Sequence, residues 1–211
     1  MDTTGNKQLY DKWSATYDTV ENPTRDLERA ACTETLSRID LGRVLELGCG
    51  TGKNTGWLSE RAASVVAADI SPEMQSLART KIASPNVDFQ ITDITKPWTF
   101  LREPVDLITA SLVLEHIDHL GDVFGEAANA LNIRGRFYVC ELHPFKQYAG
   151  SKARFETDGG TEILDCFTHN VSDYLLAAEA NGFVIERLDE WFDDGDRSSI
   201  PRLISFLFRR R

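Results

Sequence analysis

The segment best suited to bind a ligand is a glycine-rich turn at residues 44–52 (VLELGCGTG), where three glycines occupy alternate positions after an apolar run. Glycine has no Cβ, so this backbone can turn tightly and approach a ligand without steric conflict. A helix that begins just after the turn would direct its first N–H groups at the same ligand. The turn is therefore predicted to bind a ligand through its backbone.

The spacing of the glycines separates the loop types that bind nucleotide-like ligands. A phosphate-binding P-loop needs G-x-x-x-x-G-K-[ST], but Leu47 stands where its first glycine belongs, and Asn54 follows Lys53. A dinucleotide-binding turn needs G-x-G-x-x-G, and Lys53 stands at the position of its last glycine. Residues 46–52 satisfy the pattern E-x-G-x-G-x-G in full. A glycine turn without any ligand remains open at this point.

Two carboxylates stand at the ends of further apolar runs. Asp69 closes the run that begins at residue 64, and Asp93 follows the run that begins at residue 87. A carboxylate can accept hydrogen bonds from two donors at once. An isolated Asp at a strand end is otherwise a common turn former, so Asp93 alone carries little weight.

Three histidines are candidate bases, because their ordinary pKa lies close to neutral pH. His116 and His143 are the stronger candidates, and His169 is a weaker one. Glu141 and Glu115 are acidic neighbours that could orient or assist them. Side chains alternate along a strand, so Glu141 and His143 are predicted to share one face at the end of their strand.

The elements that must position these residues follow the pattern of an α/β fold, since apolar β-rich runs alternate with amphipathic segments. The last two strands follow one another without a helix, which predicts a hairpin. We therefore predict a Rossmann-like, doubly wound sheet of seven strands, with the last strand antiparallel and helices on both faces. The predicted strands are 43–47, 64–68, 87–92, 105–110, 135–142, 183–191 and 202–209, and the predicted helices are 25–38, 55–62, 72–83, 119–131 and 172–180.

Composition is that of an ordinary globular protein, with 42% hydrophobic and 27% charged residues in a chain of 211. The net charge of −10 disfavours nucleic acid as a substrate, because it repels phosphate backbones. The polar start of the sequence and the lack of an apolar run of about 20 residues lead us to expect a cytoplasmic protein without membrane contact. The cysteines lack metal-site spacing, so no metal is expected. A monomer and a homodimer remain open.

Residues 46–52 resemble motif I of the class I S-adenosylmethionine-dependent methyltransferases, in particular small-molecule enzymes of ubiquinone and menaquinone biosynthesis. The resemblance continues at Asp69, which matches an acidic residue that binds the ribose hydroxyls, and at Asp93, which matches one that receives the adenine amino group. Residues 112–117 (LVLEHI) are similar to a stretch that lines the methyl-transfer site. Glu115 departs from that pattern, so only His116 carries over.

This resemblance implies S-adenosylmethionine as cofactor, with S-adenosylhomocysteine as product. The residues that it implies for cofactor binding come from the turn, the strand ends and the N-terminal segment. They are Tyr17, Glu46, Gly48, Cys49, Gly50, Asp69, Ile70, Met74, Asp93, Ile94, Ser111 and His116.

Two segments outside the sheet are expected to cover the site, within a single domain over residues 1–211. Residues 1–40 are predicted to form an N-terminal helical lid, and residues 10–18 (YDKWSATYD) resemble the opening of many small-molecule methyltransferases. The aromatic residues of that opening also fit one apolar face of a helix. Residues 143–170 are predicted to be an insertion on the substrate side, because long connections in compact domains are often functional lids.

The implied reaction transfers a methyl group to an O or N atom of a small-molecule acceptor. The sulfonium methyl is already an electrophile, so the protein must align the acceptor and, for a hydroxyl, remove a proton. The candidate catalytic residues are His116, His143 and Glu141. A protein or RNA methyltransferase, or a catalytically silent adenosyl-binding relative that acts in assembly, remains an alternative. An NAD-type reductase is disfavoured by the glycine spacing.

Overall fold

The main sheet of the computed structural model, which describes residues 4–157 and 159–211, contains seven strands in the order β3-β2-β1-β4-β5-β9-β8. Strands β1 to β5 pair in parallel, whereas β9 runs antiparallel to both of its neighbours. The predicted sheet is thus confirmed, with β9 inserted between β5 and β8. The strands are β1 (Arg43–Leu47), β2 (Ser64–Asp69), β3 (Val87–Ile91), β4 (Val105–Ser111), β5 (Leu131–Leu142), β8 (Phe183–Trp191) and β9 (Leu203–Arg210).

Seven α-helices are found in the described residues: α1 (Thr4–Tyr17), α2 (Pro23–Leu36), α3 (Thr55–Ser59), α4 (Pro72–Lys81), α5 (Leu120–Ala130), α6 (Pro144–Tyr148) and α7 (Val171–Ala180). Their starts follow local chemistry, as α4 illustrates. The Ser71 side chain accepts a hydrogen bond from the backbone of Met74, and Pro72 supplies a preset φ in the first turn. None of the helices in the described ranges has the length and apolar character needed to cross a membrane.

Two hydrophobic clusters lie on opposite faces of the sheet. One contains Phe124 of α5 and Tyr174 of α7, and the other contains Cys32 of α2, Leu58 of α3 and Ala78 of α4. Helices therefore cover both faces, as predicted for a doubly wound sheet.

A third, smaller cluster joins the segments that lie outside the sheet. Trp13 of α1 is only 7% exposed and stacks on Phe155 with ring centroids 5.0 Å apart. Phe155 lies on β6 (Arg154–Thr157), which pairs with β7 (Gly160–Ile163) as an antiparallel hairpin. The apolar face predicted for the N-terminal helix thus packs on an element of residues 143–170.

Several predicted bounds shift in the structure. The helix predicted at 119–131 ends at Ala130, and β5 begins at Leu131 instead of residue 135. Arg134 takes a left-handed φ of 65° there, next to a register shift in the β4–β5 pairing. Helix α6 and the β6–β7 hairpin were not predicted. Residues 1–3 of the predicted lid and residue 158 of the predicted insertion lie outside the described residues.

Candidate functional site

A cavity of about 840 Å³ opens at the carboxyl ends of β1, β2 and β4, under α1 and the β6–β7 hairpin. Its volume lies within the range of about 300–1,000 Å³ that is usual for small-molecule sites. This edge of an open α/β sheet is also where ligands bind in such folds. All twelve residues predicted to bind the cofactor line this cavity.

The glycine turn after β1 needs glycine at its alternate positions for two physical reasons. Gly48, Gly50 and Gly52 have φ values of 68°, 51° and 82°, in the left-handed region that glycine tolerates best. A Cβ on Gly48 would also lie 2.7 Å from Cγ2 of Val113. The turn is therefore packed against the segment that follows β4.

Two carboxylates stand at the ends of β2 and β3, as predicted. Asp69 accepts hydrogen bonds from the backbone N–H of Gly50 at 2.7 Å and of Ser71 at 2.8 Å, so it fixes the glycine turn as well as lining the cavity. Burial raises the pKa of Asp69 above its ordinary value. Asp93 accepts hydrogen bonds from both the backbone and the hydroxyl of Thr95 through Oδ1.

Below the glycine turn, buried charged groups of both signs line the cavity. Glu46 accepts a hydrogen bond of 2.5 Å from Thr55, and Glu28 of α2 accepts two from Asn54. Burial raises the pKa of both carboxyls, to about 8 for Glu46. The guanidinium of Arg25 lies 4.0 Å from the ring centroid of Tyr17, and its Nε is buried without a hydrogen-bond partner in the described residues.

Arg25 and Glu28 line the cavity, but sequence reasoning missed them. Their signal was available, because both fall on the stripe of α2 that also buries Ala31, Cys32 and Leu36. Charged residues are rarely buried unless they are paired or serve a site.

At the other end of the cavity, His116 makes two well-defined hydrogen bonds. Its Nδ1 lies 2.8 Å from the carbonyl oxygen of Asp165, and its Nε2 lies 2.8 Å from the hydroxyl of Tyr10. A carbonyl can only accept, so the 2.8 Å contact with Asp165 assigns the proton to Nδ1, and in the neutral ring Nε2 then accepts from Tyr10. The amide nitrogen of Asn6 lies farther from Nδ1, at 3.3 Å, and does not bond to it in this tautomer. The ring therefore presents a lone pair toward the α1 side of the cavity.

Neighbours of His116 come from distant parts of the chain. The side chain of Asn6 exchanges two hydrogen bonds with the backbone of Asp165, at 2.9 and 3.0 Å. The free thiol of Cys166 lies 3.8 Å from Nδ1 of His116, and burial raises its pKa to about 12. This end of the cavity is thus built by α1, the turn after β4 and the segment after β7.

The other acid–base candidates lie outside the cavity lining that the described residues form. His143 is 1% exposed, its Nδ1 accepts from the backbone of Phe145, and its Nε2 lies 3.3 Å from Glu190. Burial lowers the pKa of His143. His169 is also buried and binds the carbonyl of Ile117. The prediction that either histidine contacts an acceptor does not fit these positions, because each ring is buried against other residues of the fold.

Glu141 is also separated from the cavity. Its carboxylate accepts hydrogen bonds from the backbone of Val113, Leu114 and Glu115, at 3.1, 2.9 and 3.4 Å. Burial and the nearby carboxyl of Glu115 raise the pKa of Glu141 to about 8. The predicted shared face of Glu141 and His143 therefore does not bring both groups to one acceptor.

Comparisons with known proteins identify a methyltransferase domain in the part of the chain that forms the cofactor end of the cavity. Residues 45–139 match a family described as a methyltransferase domain. The biotin biosynthesis bifunctional protein BioHC of Cellvibrio japonicus is 32% identical over 141 residues, which cover 65% of this chain and 27% of that protein. The demethylmenaquinone methyltransferase of Tropheryma whipplei is 32% identical over 119 residues, which cover 55% of this chain and 48% of that protein.

A solved structure extends the likeness to the whole fold. The DhpI–SAM–HEP complex matches 100% of this chain and 100% of that chain, with a TM-score of 0.77 and 22% identity. At this identity the match establishes the fold. The chain spans less than two thirds of the length of both curated relatives.

Proposed function

We propose that this chain is a class I S-adenosylmethionine-dependent methyltransferase and that it methylates an oxygen atom of a small-molecule acceptor. The matched methyltransferase domain and the shared fold support the first part. The observation that carries the proposal is the cavity itself. It joins a glycine turn with flanking carboxylates at one end to an imidazole lone pair at the other.

The first end suits the methyl donor. The carboxylates of Asp69 and Asp93 match the hydroxyl and amino donors of adenosine. The amino-acid end of the donor is a zwitterion, and Arg25, Glu28 and Glu46, which have both signs, all line the cavity. The Arg25 guanidinium donates to the carbonyls of Tyr17 and Val20, and its Nε has no hydrogen-bond partner among the described residues. We expect Arg25 to bind the carboxylate of the donor and the two glutamates to face its ammonium group.

The second end suits a hydroxyl acceptor. In the proposed reaction the acceptor oxygen forms a bond to the methyl carbon while the bond from that carbon to sulfur breaks. The hydroxyl proton passes to Nε2 of His116, and S-adenosylhomocysteine leaves as the neutral thioether. The acceptor hydroxyl takes the position at Nε2 that the Tyr10 hydroxyl holds in this structure. A neutral imidazole is a suitable base for this step.

The cover over the cavity favours a small acceptor. Helix α1 meets the segment after β7 above the site through Asn6 and Asp165. These contacts support the proposal that residues 1–40 form the lid and residues 143–170 the substrate-side wall. Donor and acceptor must share about 840 Å³. A net charge of −10 also opposes RNA as the acceptor.

Calorimetry tests the cofactor half of the proposal. S-adenosylhomocysteine should bind the purified chain, and NAD should not. Binding of NAD alone, or of neither ligand, would contradict the cofactor assignment. Binding of S-adenosylhomocysteine without methyl transfer to any acceptor would favour a silent relative.

Product analysis tests the acceptor half, with methyl-labelled S-adenosylmethionine and a panel of phenols, hydroxy acids and amines. We expect labelled methyl ethers, because methyl transfer to a hydroxyl gives an ether. His116→Asn should lower kcat by about 10²–10⁴-fold, the usual contribution of a general base. His143→Asn is the matched histidine control, and it should keep the chemical step. The reverse pattern, or methylated amines alone, would contradict the base assignment.

A further inference from the structure

The segment between β4 and α5 holds a backbone conformation that its residue type does not favour. Leu112 has a φ of 53°, in the left-handed region that is sparsely populated by residues with a Cβ. The next residues form a short 3-10 turn, Leu114–His116. Such conformations persist only where surrounding contacts hold them, and they concentrate at functional sites.

Glu141 supplies those contacts from the neighbouring strand. One carboxylate oxygen accepts from the backbone of Val113 and Leu114, and the other accepts from Glu115. Glu141 is 1% exposed, so the three N–H groups could not exchange it for bulk water. Loss of the acceptor would leave buried donors unpaired, which is costly.

The clamped turn connects both ends of the cavity. Val113 packs against the bare Cα of Gly48 in the cofactor-side turn. His116 closes the turn and carries the proposed base. The turn also binds the segment after β7, because the carbonyl of Glu115 accepts a hydrogen bond of 2.7 Å from the backbone N–H of Phe167.

We propose that Glu141 is a positioning residue, which clamps the strained turn at 112–116 and so fixes the base relative to the methyl donor. It acts through the backbone of the turn and touches neither ligand. This inference rests on the proposed function, and it replaces the earlier expectation that Glu141 takes part in catalysis directly.

The test compares two substitutions of Glu141 with a matched control. Glu141→Met removes all three acceptor contacts and should lower kcat by on the order of 100-fold, since a displacement of about 1 Å has that effect on a reacting pair. Glu141→Gln keeps one carbonyl oxygen for Val113 and Leu114 and should recover most of kcat. Ser205→Ala on the adjacent strand removes a buried partner of Trp191 without contact to the turn, and it should keep kcat.

A spectroscopic measurement separates this inference from the proposed function. In ¹⁵N NMR, His116 of the wild type should show one tautomer, protonated at Nδ1, and Glu141→Met should show a mixture. That result stands even if no methyl acceptor is found. The clamp is wrong if folded Glu141→Met keeps the single tautomer and wild-type kcat, or if Ser205→Ala causes the same loss. If Glu141→Met does not fold, Glu141→Gln decides the question. Wild-type kcat and a single tautomer in Glu141→Gln support the two retained contacts as sufficient. A loss of kcat equal to that of His116→Asn overturns the clamp.

Discussion

The two ends of the cavity are built in different ways. At the cofactor end, the glycine turn follows β1 and Asp69 is the last residue of β2, and parallel pairing of the two strands brings them together. At the acceptor end, Asn6 meets Asp165 across 159 positions of sequence, and Tyr10 meets His116 across 106. The first end depends on the sheet, whereas the second depends on the docking of segments outside it.

Because of this difference, substitutions at the two ends should have different effects. Substitutions at the cofactor end change a packed turn whose backbone conformation favours glycine. They should therefore lower both the free energy of unfolding and the affinity for the cofactor. Substitutions at the acceptor end should affect acceptor binding while the sheet and the cofactor site persist.

The largest effect is expected for Gly48→Ala. A Cβ there would require a left-handed alanine and would meet Val113 at 2.7 Å. We expect a loss of ~3 kcal/mol in the free energy of unfolding and a drop of about 100-fold in affinity for S-adenosylhomocysteine. Chemical denaturation and calorimetry measure the two quantities.

Gly56→Ala is the matched control, because Gly56 lies in α3 and its added Cβ would meet nothing within 4 Å. It should stabilise the protein by about 0.5–1 kcal/mol, the usual gain within a helix. Equal behaviour of the two alanine variants would mean that the turn does not need its glycine.

Asp69→Ala should have the next largest effect at the cofactor end. It removes an acceptor for Gly50 and Ser71 and the expected partner of the ribose, so cofactor affinity should fall by about 30-fold, or ~2 kcal/mol. Asp88→Ala on β3 is the control, since Asp88 is exposed and does not line the cavity. An unchanged affinity in Asp69→Ala would remove Asp69 from the cofactor site.

Asn6→Ala tests whether the acceptor end can be disturbed without a change at the cofactor end. It removes both hydrogen bonds to the Asp165 backbone, which should loosen α1 and raise KM for the acceptor by about tenfold. Affinity for S-adenosylhomocysteine should change little. Gln8→Ala, at an exposed position of the same helix, should change neither. A parallel loss of cofactor affinity would show that the two ends are not separable.

The same difference explains which parts of the molecule could be predicted from sequence. The cofactor end could be predicted because its residues adjoin strands, whose order follows from periodicity and handedness. Arg25 and Glu28 were missed because the prediction for residues 25–38 covered only their helical conformation and not which face of the helix is buried. Contacts such as Asn6 with Asp165 have no local signal at all.

The segment 143–170 had a partial signal that was missed. Residues 158–160 are Asp-Gly-Gly, a sequence favoured in tight hairpin turns, between two short alternating runs. The β6–β7 hairpin follows that signal. The placement of His143, in contrast, depends on Phe145 and Glu190, and strand alternation alone could not distinguish an enclosed ring from one at the cavity.

The smallest predicted effect is a proton released when the cofactor binds. Burial raises the pKa of Glu46 from 4.5 to about 8, so much of this carboxyl is neutral at pH 7 in the cofactor-free protein. An ammonium group beside it favours the charged form and lowers the pKa. Binding of S-adenosylhomocysteine at pH 7 should release up to about one proton. Calorimetry in phosphate and in Tris, which differ in ionisation enthalpy, measures that number.

The free energy of unfolding of the cofactor-free protein should also depend on the protonation of Glu46. Because the folded pKa lies above the unfolded one, the contribution of Glu46 is present below pH 4.5 and is lost as pH rises toward 8. Saturating S-adenosylhomocysteine should flatten this decline, and Glu46→Gln should remove the share of Glu46. Glu28, whose pKa burial also raises, should keep its own share. Glu141, whose pKa is also raised to about 8, lies outside the cavity lining, so its share of the decline should persist with ligand bound. A decline that the ligand leaves untouched would mean that Glu46 does not face the ammonium group.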